Sequence, residues 1–228
     1  MFKTMNKIMK VNPILITGAE RSGSSMIAKI MDMCDVFSGN CNNMYESKKT
    51  NTLYRYYSDG TLFPDTSLID IPVGWGDRII EILKGEGWKG QDWMMKGSKI
   101  AQYWPIWHYS FPDAKWLIVR RRTGDVVQSC MKTGYMRQFK NTDVLRMKGF
   151  ELEEEGWIWW VHQYEKKFIE LIQVGANARI IWPERMVDGD FSQIKETIEW
   201  LGLNWNNKIP EVITPLLEKS RRNKQWQE

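Results

Sequence analysis

The sequence predicts a single α/β domain over residues 1–228, with a mainly parallel sheet flanked by helices, and three observations predict it. Short apolar runs alternate with stretches of helical periodicity, the order of strand–helix–strand units. Two of those runs lead into polar loops that open a helix, one rich in Gly and Ser at 18–25 and one rich in Arg at 120–122. With 43% apolar and 26% charged residues, the 228-residue chain has the make-up of an ordinary globular protein, which sets aside disorder, collagen and coiled coil.

The elements follow in order. Residues 12–17 (NPILIT) read as a short apolar strand, and 18–25 as a tight loop opening a helix that runs to about Met33. The segment 40–90, rich in Asn, Tyr, Gly and Pro, is expected to form an irregular or helical lid beside the ligand site. A short strand at 93–96 precedes a helix that ends before Pro112. KWLIV at 115–119 is a buried strand, Thr123 and Gly124 make a turn, and a helix covers 125–132. Residues 134–149 read as loop. A long helix follows at 152–174, its acidic opening at 151–155 matched to the positive end of the helix dipole. A last strand at 179–182 and a helix at 191–201, stopped by Gly202, complete the pattern. The tail 219–228 (KSRRNKQWQE) is either a frayed end or a strap over an anionic ligand.

Charge and composition narrow the function. A net charge of +4 is too mild for a general nucleic-acid binder but suits a local anion site. No apolar run approaches the roughly 18 residues that span a bilayer, so a soluble, cytoplasmic protein without membrane or nucleic-acid partners is expected. Cys34, Cys41 and Cys130 have no Cys-x-x-Cys spacing and stand far in sequence from His108 and His162, which points away from a zinc site and toward reduced thiols and no metal. The thirteen Trp residues read chiefly as core packing. Trp182, which follows a strand, is singled out for stacking on a nucleobase or sugar.

The loop Gly18-Ala19-Glu20-Arg21-Ser22-Gly23-Ser24-Ser25 has the spacing of a phosphate-binding loop between strand and helix. Glycines let the backbone fold around an anion, and the first N–H groups of the helix point at it. Ser24 stands where an NTPase carries its Lys, and Arg120-Arg121-Arg122 stand where a strand-end Asp would help hold Mg²⁺. The usual ATP and metal apparatus is therefore incomplete, and Arg21 supplies the positive charge.

These residues resemble the PAPS-dependent sulfotransferases (PAPS is 3′-phosphoadenosine 5′-phosphosulfate, PAP its desulfated product). The first family signature, [KR]-S-G-[ST]-[ST] after a strand, is matched by Arg21-Ser22-Gly23-Ser24-Ser25. The resemblance implies that this loop holds the 5′-phosphosulfate. The second signature, a strand-end Arg followed eight residues later by a Ser, is matched by Arg121 and Ser129 in FPDAKWLIVRRRTGDVVQS, implying 3′-phosphate binding. A third similarity is IIWPERMV followed by FSQIKETIEWLGLNW. The resemblance thus implies a P-loop NTPase-like sulfotransferase fold, with PAPS as cosubstrate and no metal. The chain departs from the pattern at Arg122 and Gly124, where the family often has Asp and Arg, and at Pro183, where it has Tyr; Arg120 and Arg122 are the neighbours placed to compensate.

Carried over residue by residue, the resemblance assigns Arg21 to the leaving group and Lys96, in WMMKGSK, to the sulfonate or the bridging oxygen, as in tyrosylprotein sulfotransferase-like members. Glu46, after the first helix, falls where the Glu-using groups place their base, whereas His108 and His162 do not fall where His-using members place theirs. Glu20 is expected to form a local salt bridge. Glu184 either anchors a loop over the adenosine or pairs near Arg185. A small molecule, a glycan or a peptide is left open as acceptor. Two alternatives stand beside this reading: a P-loop kinase or NTPase using ATP and Mg²⁺, and a non-catalytic PAP-binding protein on the same scaffold.

Overall fold

The computed structural model describes residues 12–59, 64, 67–133 and 136–222, with the backbone alone for 218–222. In chain order the elements are β1 (Ile14–Thr17), α1 (Ser24–Met33), α2 (Lys48–Leu53), α3 (Trp75–Gly85), β2 (Met94–Lys96), α4 (Ser98–Gln102), α5 (Trp104–Ser110), β3 (Lys115–Val119) and α6 (Thr123–Lys132). They continue with α7 (Thr142–Lys148), α8 (Glu153–Gln173), β4 (Ala178–Ile181), α9 (Glu184–Val187), α10 (Ser192–Leu201) and α11 (Ile209–Arg222). Among the described residues no helix is long and apolar enough to cross a membrane.

The four strands pair in the order β2-β1-β3-β4, all parallel. Ile14 faces Met94 on one side and Lys115 on the other, and Val119 faces Ile181. Strand residues alternate between faces, and both faces are apolar, as a sheet covered on both sides requires. Leu15, Met95, Trp116 and Ile118 pack with α3, α5, α6 and α8, while Ile16, Met94, Leu117 and Val119 pack with α1, α10 and α11. All four carboxyl ends open at one edge. β1 lies between β2 and β3, so the chain reverses direction across the sheet beside the loop that follows β1, the place where open α/β sheets bind ligands.

Several segments differ from the sequence reading, each for a local reason. The loop expected at 134–149 contains a 3₁₀ turn at Gln138–Lys140 and α7. The Asn141 side chain accepts from Asp143 N at 2.9 Å to start α7, and Gly149 in the left-handed region ends it. The helix before Pro112 is two, α4 and α5, because Pro105 in the first turn of α5 cannot donate to a continuing helix. Residues 40–90 are partly helical, as expected, and what the reading did not foresee is that an amphipathic α3 buries Trp75, Ile79 and Leu83 in the core, where Tyr54 stacks on Tyr103 at 4.4 Å. Residues 209–222 of the C-terminal stretch form α11; the tail at 223–228 lies outside the described residues.

Candidate active site

The loop after β1 is shaped by two close approaches. A Cβ on Gly18 would stand 2.4 Å from both Val119 O and Ser22 Oγ, so only glycine lets the loop lean on the end of β3. Gly23 takes φ +97°, and a Cβ there would meet Pro183 Cγ at 3.2 Å. Pro183 therefore packs on the loop. Ser22 turns inward: its N–H donates to Ala19 O at 3.1 Å, and its Oγ is buried with no hydrogen-bond partner among the described residues. Arg21 sits at φ +66°, unusual for a side chain of that size.

The two signatures meet through this loop. Arg21 Nε donates to Ser129 Oγ at 2.9 Å, and Arg121 Nη1 donates to Arg21 O at 3.1 Å. Arg121 and Ser129 are both buried. Burial pushes the Arg121 pKa down to about 10, opposed by Asp125 and Glu184, so the guanidinium is charged at neutral pH. Glu184 Oε1 accepts from Arg122 N at 2.9 Å, tying α9 to the start of α6. Arg120 points elsewhere, into an ion pair with Glu165 at 2.7 Å and over the Trp182 ring at 4.9 Å. It covers one face of Trp182.

Opposite the loop, Lys96 Nζ lies 2.8 Å from Glu46 Oε1, the Lys almost wholly buried and Glu46 30% exposed. Both are rigidly presented. Lys96 ends β2, whose turn is fixed by Gly97 N donating to Ile16 O and by Thr17 Oγ1 donating to Gly97 O. Glu46 closes a tight loop in which Asn42 Oδ1 accepts from Met44 N and Glu46 N while Asn42 N donates to Glu46 O. Ser25 Oγ donates to Met44 O at 3.4 Å, linking this loop to the start of α1.

A cavity of about 650 Å³ brings these parts together. Arg21, Gly23, Ser24, Ser25, Glu46, Lys96 and Arg121 line it, while Ser22 and Ser129 stand behind. Met26, Met44, Met136, Trp157, Trp160, Leu216 and Leu217 supply its apolar lining. The two histidines stay out of it: His162 is exposed on α8, and His108 packs between Trp104 and Tyr109.

Glu20 corrects an expectation. It forms no salt bridge among the described residues; Oε2 accepts from Trp160 Nε1 at 2.5 Å and Oε1 from Tyr164 OH at 2.9 Å. Loss of solvent around the carboxyl raises its pKa, with the hydrogen bonds pulling the other way. Sequence reasoning also missed Ser98 and Lys99 in the cavity wall. The i, i+3 spacing of Trp157 and Trp160 marks one helix face, but nothing local says that the face looks into a site.

This geometry and sheet order define the sulfotransferase fold. Two solved structures carry it. A sulfotransferase, STF9, from Mycobacterium avium aligns over 91% of this chain and 68% of its own with a TM-score of 0.52 at 10% identity. A sulfotransferase from Alicyclobacillus acidocaldarius aligns over 91% of this chain and 92% of its own with a TM-score of 0.50 at 14% identity. No protein-family model matches the chain, and no curated protein matches it.

Proposed function

We propose that the protein is a sulfotransferase that moves the sulfuryl group of PAPS to a hydroxyl or amine acceptor and releases PAP. The observation that carries this reading is the pair of hydrogen bonds joining Arg21 to Ser129 and Arg121 to the Arg21 carbonyl. A glycine-rich turn and a strand-end Arg with its Ser are thereby one anion-binding unit, as a ligand with phosphates at two positions would need. The residues fit such a ligand: the loop is cradled where Cβ atoms would clash, Ser22 Oγ is a buried hydroxyl with no partner among the described residues, and Arg21, Lys96 and Arg121 converge on one cavity.

Arg21, Ser22, Gly23, Ser24 and Ser25 would hold the 5′-phosphosulfate, and Arg121 with Ser129 the 3′-phosphate. PAPS, when bound, supplies an activated sulfuryl group on a phosphate leaving group. Arg21 and the helix N-terminus then oppose the negative charge that grows on the leaving side. Lys96 offers its ammonium to the sulfonate or bridging oxygen and fixes Glu46 through their 2.8 Å contact. Glu46, partly open to the cavity, takes the proton that leaves the acceptor hydroxyl or amine. On this reading Glu46 acts as the base does in the Glu-using sulfotransferases, and the apolar walls suit a small-molecule, glycan or peptide acceptor.

Thermal stabilisation tests the reading, because a ligand that binds only the folded state raises the midpoint. PAP is expected to raise it clearly and AMP little, which would report the 3′-phosphate. A response to ATP with Mg²⁺ and none to PAP would replace the sulfotransferase with a P-loop kinase or NTPase. Strong PAP binding with no sulfation of any acceptor would make it a nucleotide-binding protein.

A further inference from the structure

We infer that Glu20 is a positioning residue, the carboxylate that ties the anion-binding loop to α8 and so holds Arg21 in its working conformation; the inference rests on reading that loop as the donor site. Glu20 and Arg21 are adjacent, and their side chains go opposite ways. Glu20 is fixed by Trp160 and Tyr164, one turn apart on α8, and Arg21 reaches Ser129 on α6. Between those two anchors the backbone of Arg21 is held at φ +66°, and its carbonyl takes the bond from Arg121. The loop is thus strung between three elements, with Glu20 hydrogen-bonded to two side chains of α8.

A half-buried carboxylate on the cavity wall is an awkward way to fasten a loop. Its charge is disfavoured there, so the folded protein holds the Glu20 proton more tightly than the unfolded chain does. The stability this group leaves to the fold is greatest at low pH and falls as pH rises between the unfolded and folded pKa values. Stability alone gives no reason for the charge. Two donors aimed at two oxygens do: a neutral amide keeps one oxygen for the donor-only Trp160 indole, and its NH₂ meets Tyr164 only if that hydroxyl reverses from donor to acceptor. The other titratable groups around Glu20 are Lys99 on α4, Cys130 on α6 and Tyr164 on α8, with Ser98 adding a hydrogen bond. The Lys99 ammonium is the charge that favours an ionised Glu20.

The test uses the full chain, wild type, Glu20→Gln and Tyr164→Phe, with two readouts. In the ligand-free proteins, hydrogen exchange of the amides at 20–25 should rise about tenfold in Glu20→Gln and less in Tyr164→Phe, while the strands stay protected and the midpoint stays level or rises. PAP titration by calorimetry should show affinity lost about tenfold in Glu20→Gln and about threefold in Tyr164→Phe. The gap between wild type and Glu20→Gln should close as pH falls and Glu20 protonates. Loop exchange at the wild-type level in both variants would overturn the inference, and so would a loss of protection spread evenly over loop and strands. Wild type that fails to bind PAP would overturn the donor reading instead, leaving the ligand-free exchange to decide the role of Glu20.

Discussion

The polar side and the apolar side of the cavity are built in contrasting ways. On the polar side, a few residues at fixed spacing meet through direct hydrogen bonds: Arg21 to Ser129, Arg121 to the Arg21 carbonyl, Arg122 N to Glu184. On the apolar side, Met44, Met136, Trp157 and Trp160 come from scattered segments, and the Trp rings pack on aromatic neighbours, as where Phe139 stands edge-on to Trp157 at 4.9 Å. Anion recognition needs oriented dipoles and charges, which short motifs encode. An apolar wall needs volume and shape, which many sequences supply.

Substitutions can break each side separately. The largest effect is expected from Glu46→Gln, which should lower the turnover of sulfate transfer by about 10² to 10⁴ fold while PAP affinity in calorimetry stays near wild type. Normal turnover in that variant would remove Glu46 from the chemistry. Arg121→Ala should weaken PAP binding by about a hundredfold, the scale of a lost charge-assisted contact plus its tie to Arg21 O; unchanged affinity would make the second signature a packing coincidence. Gly156→Ala sets a Cβ 2.5 Å from two atoms of the Phe139 ring, and overpacking of that kind costs about 1–3 kcal/mol in chemical unfolding. It should disturb the apolar wall and leave PAP affinity untouched, so a matching loss of PAP binding would erase the contrast. Asn141→Ala, which removes the cap of α7, should cost about 1 kcal/mol and lower the midpoint by about 2–4 °C.

The same contrast decides what the sequence made legible. β1, β3, α1, α6 and the loop between β1 and α1 could be read because apolar runs, glycines and caps are local signals. All nine residues proposed for donor or catalysis fall at or directly behind one cavity. Asn141 and Gly149 mark the ends of α7 in plain sight, but seven residues are too few to show a helical period. α3 was hidden in a stretch whose Gly, Asn and Pro content resembles loop, and its register is set by Trp75 fitting against Trp107, a long-range fact. Glu20 was misread for a similar reason. A carboxylate beside an Arg suggests a salt bridge, yet its partners are an indole and a phenol about 140 positions away.

The parallel sheet has a consequence for how the protein comes into being during synthesis. β1 is made first, but its neighbours are Met94–Lys96 on one side and Lys115–Ile118 on the other, so it emerges from the ribosome with both edges unsatisfied. The Gly18 turn leans on Val119 O, and Arg21 waits for Ser129, 108 positions later, so the loop after β1 cannot take its shape until that much more of the chain has been made. The first-made wall of the cavity thus waits for partners made much later, and until they arrive a nascent chain has no formed pocket there.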